Sequence, residues 1–414
     1  MAINLTLSFP VTGNRSQIES YFSGVHSPVP GWKEKNTFER DKFELELMPF
    51  TEPIEGSWLG NRLFVQVKTN FGGPGYHAYV VDMLDGLGIE PEVTSDDTGY
   101  YDKRDFAELQ NQMGKYLEII ARSLIGSDIP QYGTRAMHIR ADSIRYGAAK
   151  GSVDCPLGPL DMDFFKRVTK GERLGEQFYI WWHRELDQRF YLSCALYQIW
   201  CNVNWLHPET DEEREILSST LSCLAKAYEL DRSLNYPAAE WSEIADLANR
   251  KSLKLKIAKW FGEVGPGTLG YRRNLIIYRF SDWVFAHKGK MHFRMIKDDG
   301  YDVSFFWDED YTIRVSLQKF FNSDGSVPSS ETALGIKLSG SSKHEKVKLE
   351  DKNILAAATH ERVAANGKNV WESSLYAALK GTMFMLNIQY QKPEIRAVAR
   401  EIFSTVINVG YSKN

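Results

Sequence analysis

Residues 63–87 read LFVQVKTNFGGPGYHAYVVDMLDGL, and the fold of the N-terminal part depends on this stretch. The run 63–67 is apolar and β-branched, as in a strand. The residues GGPG follow at 72–75, and 76–87 has the apolar spacing of a helix that ends at Gly88, with Pro91 beyond it. The stretch therefore predicts a strand, a glycine turn and a helix.

The residues around this stretch extend the pattern to a small α/β domain. Apolar residues alternate at 3–9 and again at 43–47, and 16–22 has helical spacing between them. A further strand is predicted at 92–94. The resulting order, β-α-β-β-α-β, predicts a ferredoxin-like domain over residues 1–100, an arrangement that many unrelated functions share.

The middle of the chain is predicted to be a helical domain over residues 101–262. Residues 106–125 have helical apolar spacing, and 178–206 is predicted as one long buried helix rich in aromatic residues. Thr210 with Glu213 forms a capping-box pattern for the next helix. Pro237 suits the first turn of another helix.

After Gly262 the helical spacing ends and aromatic and β-branched runs begin, which predicts a third domain over residues 263–414. The chain as a whole is therefore predicted to be α+β, ending in an antiparallel α/β sandwich. We expect a polar loop over 321–338 and a final helix over 393–406. Strands are predicted at 275–285, 291–296, 303–307, 311–320, 354–363, 371–379 and 383–390.

The end of the chain resembles a known superfamily. Residues 383–390, MFMLNIQY, form the closing strand, and 394–403, EIRAVAREIF, form the helix after it. In this order of elements the C-terminal third resembles the PsbP/DcrB-like α/β sandwich. The resemblance implies a binding or chaperone module, including adaptors of secreted bacterial effectors, and it carries over no catalytic residue.

Composition limits the class of protein. The 414 residues are 43% hydrophobic and 25% charged, which excludes a disordered or fibrous chain, and the net charge of −4 excludes a globally basic nucleic-acid binder. The four cysteines form no C-x-x-C pair, which indicates a reducing compartment. We find no signal-peptide pattern and no membrane span. The expectation is a cytoplasmic protein without a metal or cofactor.

Charge is strongly segregated along the chain. Residues 250–297 contain 12 Lys and Arg against Glu263 and Asp282, so the segment carries +10 and the remainder carries −14. Such a segment attracts an acidic protein, a nucleic-acid backbone or a small anion. Alternatively it is a solvated face, or it is neutralised by the acidic turns at 298–299 and 308–310. We predict four contact residues for an acidic partner: Arg272, Arg273, Lys288 and Lys290.

The glycine turn is a second candidate site. Gly72, Gly73 and Gly75 precede a helix N-terminus, where free N–H groups favour an anion, and His77 lies in the first helical turn. The turn lacks the lysine and the serine or threonine that end the P-loop motif G-x-x-x-x-G-K-[ST]. The alternative is a tight strand-to-helix turn whose glycines supply positive φ, with His77 in a packing or capping role.

His183 and Asp187 are a third candidate, since on a helix an i, i+4 carboxylate can orient an imidazole. Cys194 lies about 16 Å away at helical rise, too far to be the partner nucleophile. The alternative is a hydrogen-bonded pair within an aromatic core.

We therefore predict a non-enzymatic binding protein, an immunity-like or chaperone-like adaptor that meets an acidic surface of another bacterial protein. Two alternatives stay open at this point. One is an enzyme acting on a phosphorylated or nucleotide-like small molecule at the Gly72–Gly75 turn. The other is sequence-independent nucleic-acid binding through the basic segment.

Overall fold

The computed structural model describes residues 3–11, 15–126, 135–136, 144–145, 152–298, 301–339, 344–349, 354–365 and 368–408. The chain divides into two compact units. The N-terminal unit comprises Met1–Asp142 and Tyr146–Arg272, and the C-terminal unit comprises Ser143–Arg145 and Arg273–Asn414. The predicted α+β class is confirmed, while the division into domains at 1–100, 101–262 and 263–414 stays a prediction.

The first hundred residues form a six-stranded antiparallel sheet with two helices. Its elements are β1 (Asn4–Pro10), α1 (Arg15–Ser23), β2 (Lys35–Phe38), β3 (Lys42–Glu46), β4 (Ile54–Leu59), β5 (Arg62–Lys68), α2 (Pro74–Asp85) and β6 (Glu92–Asp96). The strand order is β2-β3-β4-β5-β1-β6. The four strands β4-β5-β1-β6 have the ferredoxin-like order, and β2 and β3 extend the sheet at one edge.

Two of these strands, β2 and β4, are absent from the sequence-based prediction. In β4, the inward positions are Ile54 and Gly56, so a glycine stands where the alternation requires an apolar side chain. A Cβ at Gly56 would overlap the ring of Phe43 on the neighbouring strand. The Phe43 ring of β3 thus fills the space left by Gly56 of β4. Because β4 has a glycine at an inward position, the alternation of apolar residues does not predict it.

The middle of the chain is mainly helical, as predicted. Its longest helices carry their buried residues on one side. No helix among the described residues is both long enough and apolar enough to cross a membrane. The elements are α3 (Tyr100–Lys103), α4 (Phe106–Gly126), β7 (Arg135–Ala136), β8 (Ile144–Arg145), β9 (Ser152–Cys155), β10 (Gly158–Asp161), α5 (Met162–Thr169), α6 (Gln188–Cys201), α7 (Asp211–Leu230), α8 (Ala238–Leu247) and α9 (Lys251–Phe261).

The single helix predicted over 178–206 is wrong at both ends. Helix α6 begins only after Asp187, whose carboxylate caps it by accepting from the Phe190 amide at 2.8 Å. The preceding residues instead pair with the glycine turn, since the Trp181 amide donates to the Gly72 carbonyl. His183 and Asp187 are therefore neighbours in a turn before the helix and do not share a helical face.

The capping box at the start of α7 is confirmed. The Thr210 hydroxyl accepts from the Glu213 amide at 3.2 Å, and the Glu213 carboxylate accepts from the Thr210 amide at 3.1 Å. We expect Thr210→Ala to lower the free energy of unfolding by about 1 kcal/mol, because the Glu213 amide loses the hydroxyl that accepts its hydrogen bond. Thr210→Ser keeps the hydroxyl and is the matched control. Urea unfolding of both variants measures the difference, and equal stability of the two would contradict the expectation.

The C-terminal unit is built on two antiparallel sheets. One has the order β13-β14-β15-β19-β18-β17-β16, and the other has the order β20-β12-β11-β8. Their strands and helices are β11 (Leu275–Phe280), β12 (Trp283–Lys288), β13 (His292–Asp298), β14 (Tyr301–Trp307), β15 (Tyr311–Lys319), α10 (Ser330–Leu338), β16 (His344–Val347), β17 (Leu355–Ala365), β18 (Lys368–Leu379), β19 (Thr382–Tyr390), α11 (Ile395–Ser404) and β20 (Ile407–Asn408).

One core joins the elements of the C-terminal unit. Trp283 of β12 stacks on Phe384 of β19 with ring centroids 5.1 Å apart, and Phe403 of α11 belongs to the same buried cluster. Two predictions are wrong here. The strand expected over 275–285 is the hairpin β11–β12, which turns at Ser281 with a φ of 55°. The loop expected over 321–338 contains α10, which Ser329 caps by accepting from the Thr332 amide.

Candidate partner-binding surface

Helix α9 is an exposed basic element of the N-terminal unit. Its only fully buried residue is Ile257, and it packs against α8 along that side. Leu255 on the outer side is 73% exposed. The helix contains no acidic residue, and Arg250 precedes its first turn. Its four lysines are Lys251, Lys254, Lys256 and Lys259.

The spacing of the lysines surrounds the exposed leucine with positive charge. Residues four apart are neighbours on a helix, so Lys251 and Lys259 lie one turn to either side of Leu255. Two lysine pairs, Lys251 with Lys254 and Lys256 with Lys259, are three residues apart, and like charges at this spacing weaken a helix by a few tenths of a kcal/mol each. The repulsion between these pairs does not stabilise the helix, so an interaction outside the helix is the physical alternative.

Most of this charge is not compensated within the described part of the chain. Lys254 pairs with Asp246 of α8 at 3.0 Å. Lys251, Lys256 and Lys259 have no ion pair among the described residues and are exposed. The helix thus presents a positive, partly apolar face, which we call the α9 face: Arg250, Lys251, Leu255, Lys256 and Lys259.

Trp260 borders the α9 face and fixes the helix to the N-terminal unit. It is 39% exposed, yet its ring stacks on Tyr228 with centroids 4.5 Å apart and an interplanar angle of 25°. It also contacts the fully buried Trp241 at 5.6 Å. These aromatic contacts hold the helix in place, so the α9 face is a fixed surface of this unit.

The four cations predicted to meet a partner lie in different environments. Arg272, in the N-terminal unit, is only 6% exposed. Arg273 is half-buried, Lys288 pairs with Asp308 and lies 3.6 Å from Asp310, and Lys290 is exposed. The acidic turn at 308–310 thus compensates Lys288, as the sequence-based alternative supposed. A binding role for these four residues stays a prediction.

The lysines of α9 were part of the +10 segment but were not among the predicted contact residues. The sequence does hold a signal for them, since four lysines within nine residues have no acidic residue beside them. Whether such a run is exposed depends on which side packs against α8, and that information is not local to the helix.

The glycine turn before α2 is a packing site. The residues 179–183 lie against it, and the Gly75 amide donates to the Trp181 carbonyl at 3.0 Å. Gly73 has a φ of 94°, and a Cβ there would come 2.6 Å from the Trp181 carbonyl oxygen. The glycines are therefore explained by close packing, and the donor predicted to hold an anion is already bonded. Anion binding at Gly72, Gly73 and Gly75 stays a prediction that would require residues 179–183 to move.

His77 is fully buried beneath this turn. Its Nδ1 lies 2.8 Å from the Thr69 hydroxyl and its Nε2 lies 3.2 Å from the Thr98 hydroxyl. Burial lowers the pKa of His77 to about 4, although Asp96 at 3.8 Å acts in the opposite direction. The imidazole is thus neutral at pH 7, and both of its nitrogens are engaged by threonines, which suits a packing role.

Comparisons with known proteins do not assign a family. No protein-family model matches the chain, and no curated protein matches it. Among solved structures, a protein from Bacteroides thetaiotaomicron is 15% identical, with a TM-score of 0.24 over 34% of this chain. The match spans 47% of that protein, about half its length.

A cyanobacterial PsbP (CyanoP) from Synechocystis is also similar. It is 12% identical, with a TM-score of 0.25, and the match covers 36% of this chain and 98% of that one. At these TM-scores neither similarity supports a statement about function. In the part of the chain that the structure describes, no cluster of three or more His, Cys, Asp or Glu side chains is arranged to hold a metal ion.

Proposed function

We propose that the chain is a binding protein that docks an acidic surface of another protein on the α9 face. The observation that carries the proposal is an exposed helix with four lysines, no acidic residue and a 73% exposed leucine at the centre of its outer side. Positive rims of this kind accelerate association with acidic partners, and a central apolar residue supplies contact area.

A protein partner fits the α9 face better than nucleic acid does. Leu255 cannot stack on a base, and one side of the Trp260 ring is covered by Tyr228. Sequence-independent nucleic-acid binders combine positive charge with aromatic rings that are free to stack. The remainder of the chain, at −14 against the +10 segment, also repels a long polyanion.

The proposal includes a cellular setting. All four cysteines are buried and none forms a disulfide, which supports a reducing compartment such as the cytoplasm. An adaptor, a chaperone or an immunity protein of a bacterium would use such a surface to hold one partner. The identity of the captured protein would distinguish these three roles.

Charge reversal of the α9 face is the first test. We expect K251E/K256E/K259E to weaken partner binding at least tenfold at low salt, about 1.4 kcal/mol or more, because three attractive contacts become repulsive. The variant should fold, since all three positions are exposed and glutamate is about as good a helix former as lysine. The matched control is K103E/K170E/K226E, which makes the same change of net charge at exposed lysines elsewhere in the unit.

The measurement is capture from a lysate of the source organism, with and without nuclease treatment, followed by titration with the purified partner. The proposal is supported if one protein is retained by the wild type and by the control, is released at roughly 0.5 M salt, and is lost with the α9 variant. Retention that is equal in all three overturns it. Retention of nucleic acid alone, lost on nuclease treatment, overturns it in favour of a nucleic-acid binder.

The apolar centre of the α9 face gives a separate prediction. Leu255→Ser should weaken binding of the same partner by about tenfold, since the residues whose truncation costs over about 1 kcal/mol cluster near the centre of an interface. Its effect on stability should be small, because Leu255 is 73% exposed. Binding by titration calorimetry and thermal unfolding together check this. Unchanged affinity would place the partner away from Leu255.

A further inference from the structure

A second surface feature, distinct from α9, is a cleft of about 320 Å³ in the N-terminal unit. Its volume is near the lower limit of small-molecule sites, which run from about 300 to 1,000 Å³. Most of its wall is apolar, formed by Tyr179, Ile180, Trp182, Phe190, Leu196 and Leu234. The cleft is therefore large enough for a small molecule with a single aromatic ring.

Two acid–base side-chain pairs lie in the lining of the cleft. Nδ1 of His183 is 2.6 Å from Oδ2 of Asp187, and Arg189 pairs with Glu176. Each carboxylate, that of Asp187 and that of Glu176, thus has a basic side chain as its partner in the same lining. A neutral ligand fits such a site better than an ion, because neither pair has to be broken to admit it.

The Asp187 contact determines which nitrogen of His183 is free. A carboxylate accepts hydrogen bonds, so Nδ1 carries the proton and Nε2 is the acceptor in the neutral ring. The carboxylate of Glu176 is 3.9 Å from Nε2, beyond hydrogen-bonding distance. Asp187 also caps α6 through its other oxygen, which fixes the carboxylate itself. His183 therefore presents a positioned acceptor to the cleft.

The aromatic wall beside this acceptor is also fixed. The rings of Tyr179 and Trp182 are stacked, 5.7 Å apart with an interplanar angle of 14°. The Tyr179 hydroxyl donates to the Met113 carbonyl at 2.8 Å, so it is already engaged. The wall therefore offers ring surface, and in its neutral form His183 offers a hydrogen-bond acceptor in the same lining.

We propose that the cleft binds a neutral small molecule with one aromatic ring and a hydroxyl group, whose hydroxyl donates to Nε2 of His183. The ring packs against the aromatic wall. Asp187 is a positioning residue that holds the imidazole in the accepting tautomer. The assignment does not depend on the α9 face.

The test uses two probes, 4-fluorophenol and fluorobenzene, titrated against the full chain and followed by fluorine NMR line broadening. A purely apolar cleft prefers fluorobenzene, since a buried hydroxyl without a partner is unfavourable. We expect the wild type to bind 4-fluorophenol about fivefold to tenfold more tightly. Absence of saturable binding, or a preference for fluorobenzene, overturns the proposal.

Variants locate the binding. His183→Ala should reverse the preference, while His207→Ala, at a histidine outside the cleft lining, should keep it. Leu196→Trp fills the cleft and should abolish binding of both probes. Persistent 4-fluorophenol preference in His183→Ala, or persistent binding in Leu196→Trp with native circular dichroism, overturns the proposal.

The positioning role of Asp187 has its own readout. Asp187→Asn keeps a side chain that caps helices well, so α6 should begin at the same residue. Nitrogen NMR of the imidazole should change from one tautomer to a mixture, and the preference for 4-fluorophenol should shrink. A single Nδ1-protonated tautomer in both proteins contradicts this role.

Discussion

Gly75→Ala is expected to destabilise the N-terminal unit by about 3 kcal/mol or more, or to prevent its folding. An alanine Cβ at this position would overlap the Trp181 ring and the His183 carbonyl oxygen. Relief is difficult, because Trp181 is 2% exposed and its own carbonyl accepts from the Gly75 amide at 3.0 Å. The backbone of residues 179–183 would have to move away from the glycine turn.

The matched control is Gly114→Ala in helix α4. A Cβ there meets nothing within 4 Å, so alanine should stabilise by about 0.5–1 kcal/mol through its better helix propensity. Urea unfolding followed by circular dichroism compares the two variants with the wild type. If Gly75→Ala were as stable as the wild type, the close packing of residues 179–183 on the turn would be disproved.

The glycine turn also shows where sequence reasoning succeeds. The run of glycines and the helical spacing after it correctly predict a strand, a turn and a helix, because each signal lies within a few residues. The reason for the glycines is not local. The glycines are required by contact with Trp181, more than a hundred residues later in the chain. Nothing in residues 63–87 predicts that contact.

The same distinction applies to α6 and α9. Residues 178–182 are as apolar as a buried helix, but Trp181 forms hydrogen bonds with the glycine turn and Asp187 caps the helix that begins after it. In α9 the four lysines can be identified from the sequence. Their exposure depends on the packing of Trp260 against Tyr228 and Trp241, which fixes the side of the helix that is buried. Sequence predicts which residues carry charge, and tertiary contacts decide which of them face solvent.

Asp154 in β9 is a buried acidic residue that the sequence did not single out. Its side chain is fully buried, and neither carboxylate oxygen has a hydrogen-bond partner in the described structure. Burial raises the pKa of Asp154 from 3.8 to about 7. Its neighbours Val153 and Cys155 are also buried, so both faces of this short strand are covered. An acidic residue between two apolar ones normally indicates a strand with one exposed face, so the sequence does not predict that Asp154 is buried.

This raised pKa makes stability depend on pH in a defined direction. The folded chain holds the Asp154 proton more tightly than the unfolded chain does, so the free energy of unfolding falls as pH rises from about 4 to about 7. A shift of this size corresponds to about 4 kcal/mol at most, since one pKa unit is worth about 1.4 kcal/mol. Below pH 4 the group is neutral in both states, and its contribution no longer changes.

Asp154→Asn should therefore stabilise the chain at pH 8 by about 2–4 kcal/mol, because the amide resembles the protonated carboxyl and never acquires the buried charge. The gain should shrink steadily as pH is lowered and approach zero near pH 4. Unfolding by urea at each pH measures this, with the exposed Asp41→Asn as the control that shows no such trend. A gain that is the same at pH 4 and pH 8, or a loss at pH 8, would show that the Asp154 carboxylate is not destabilised by burial.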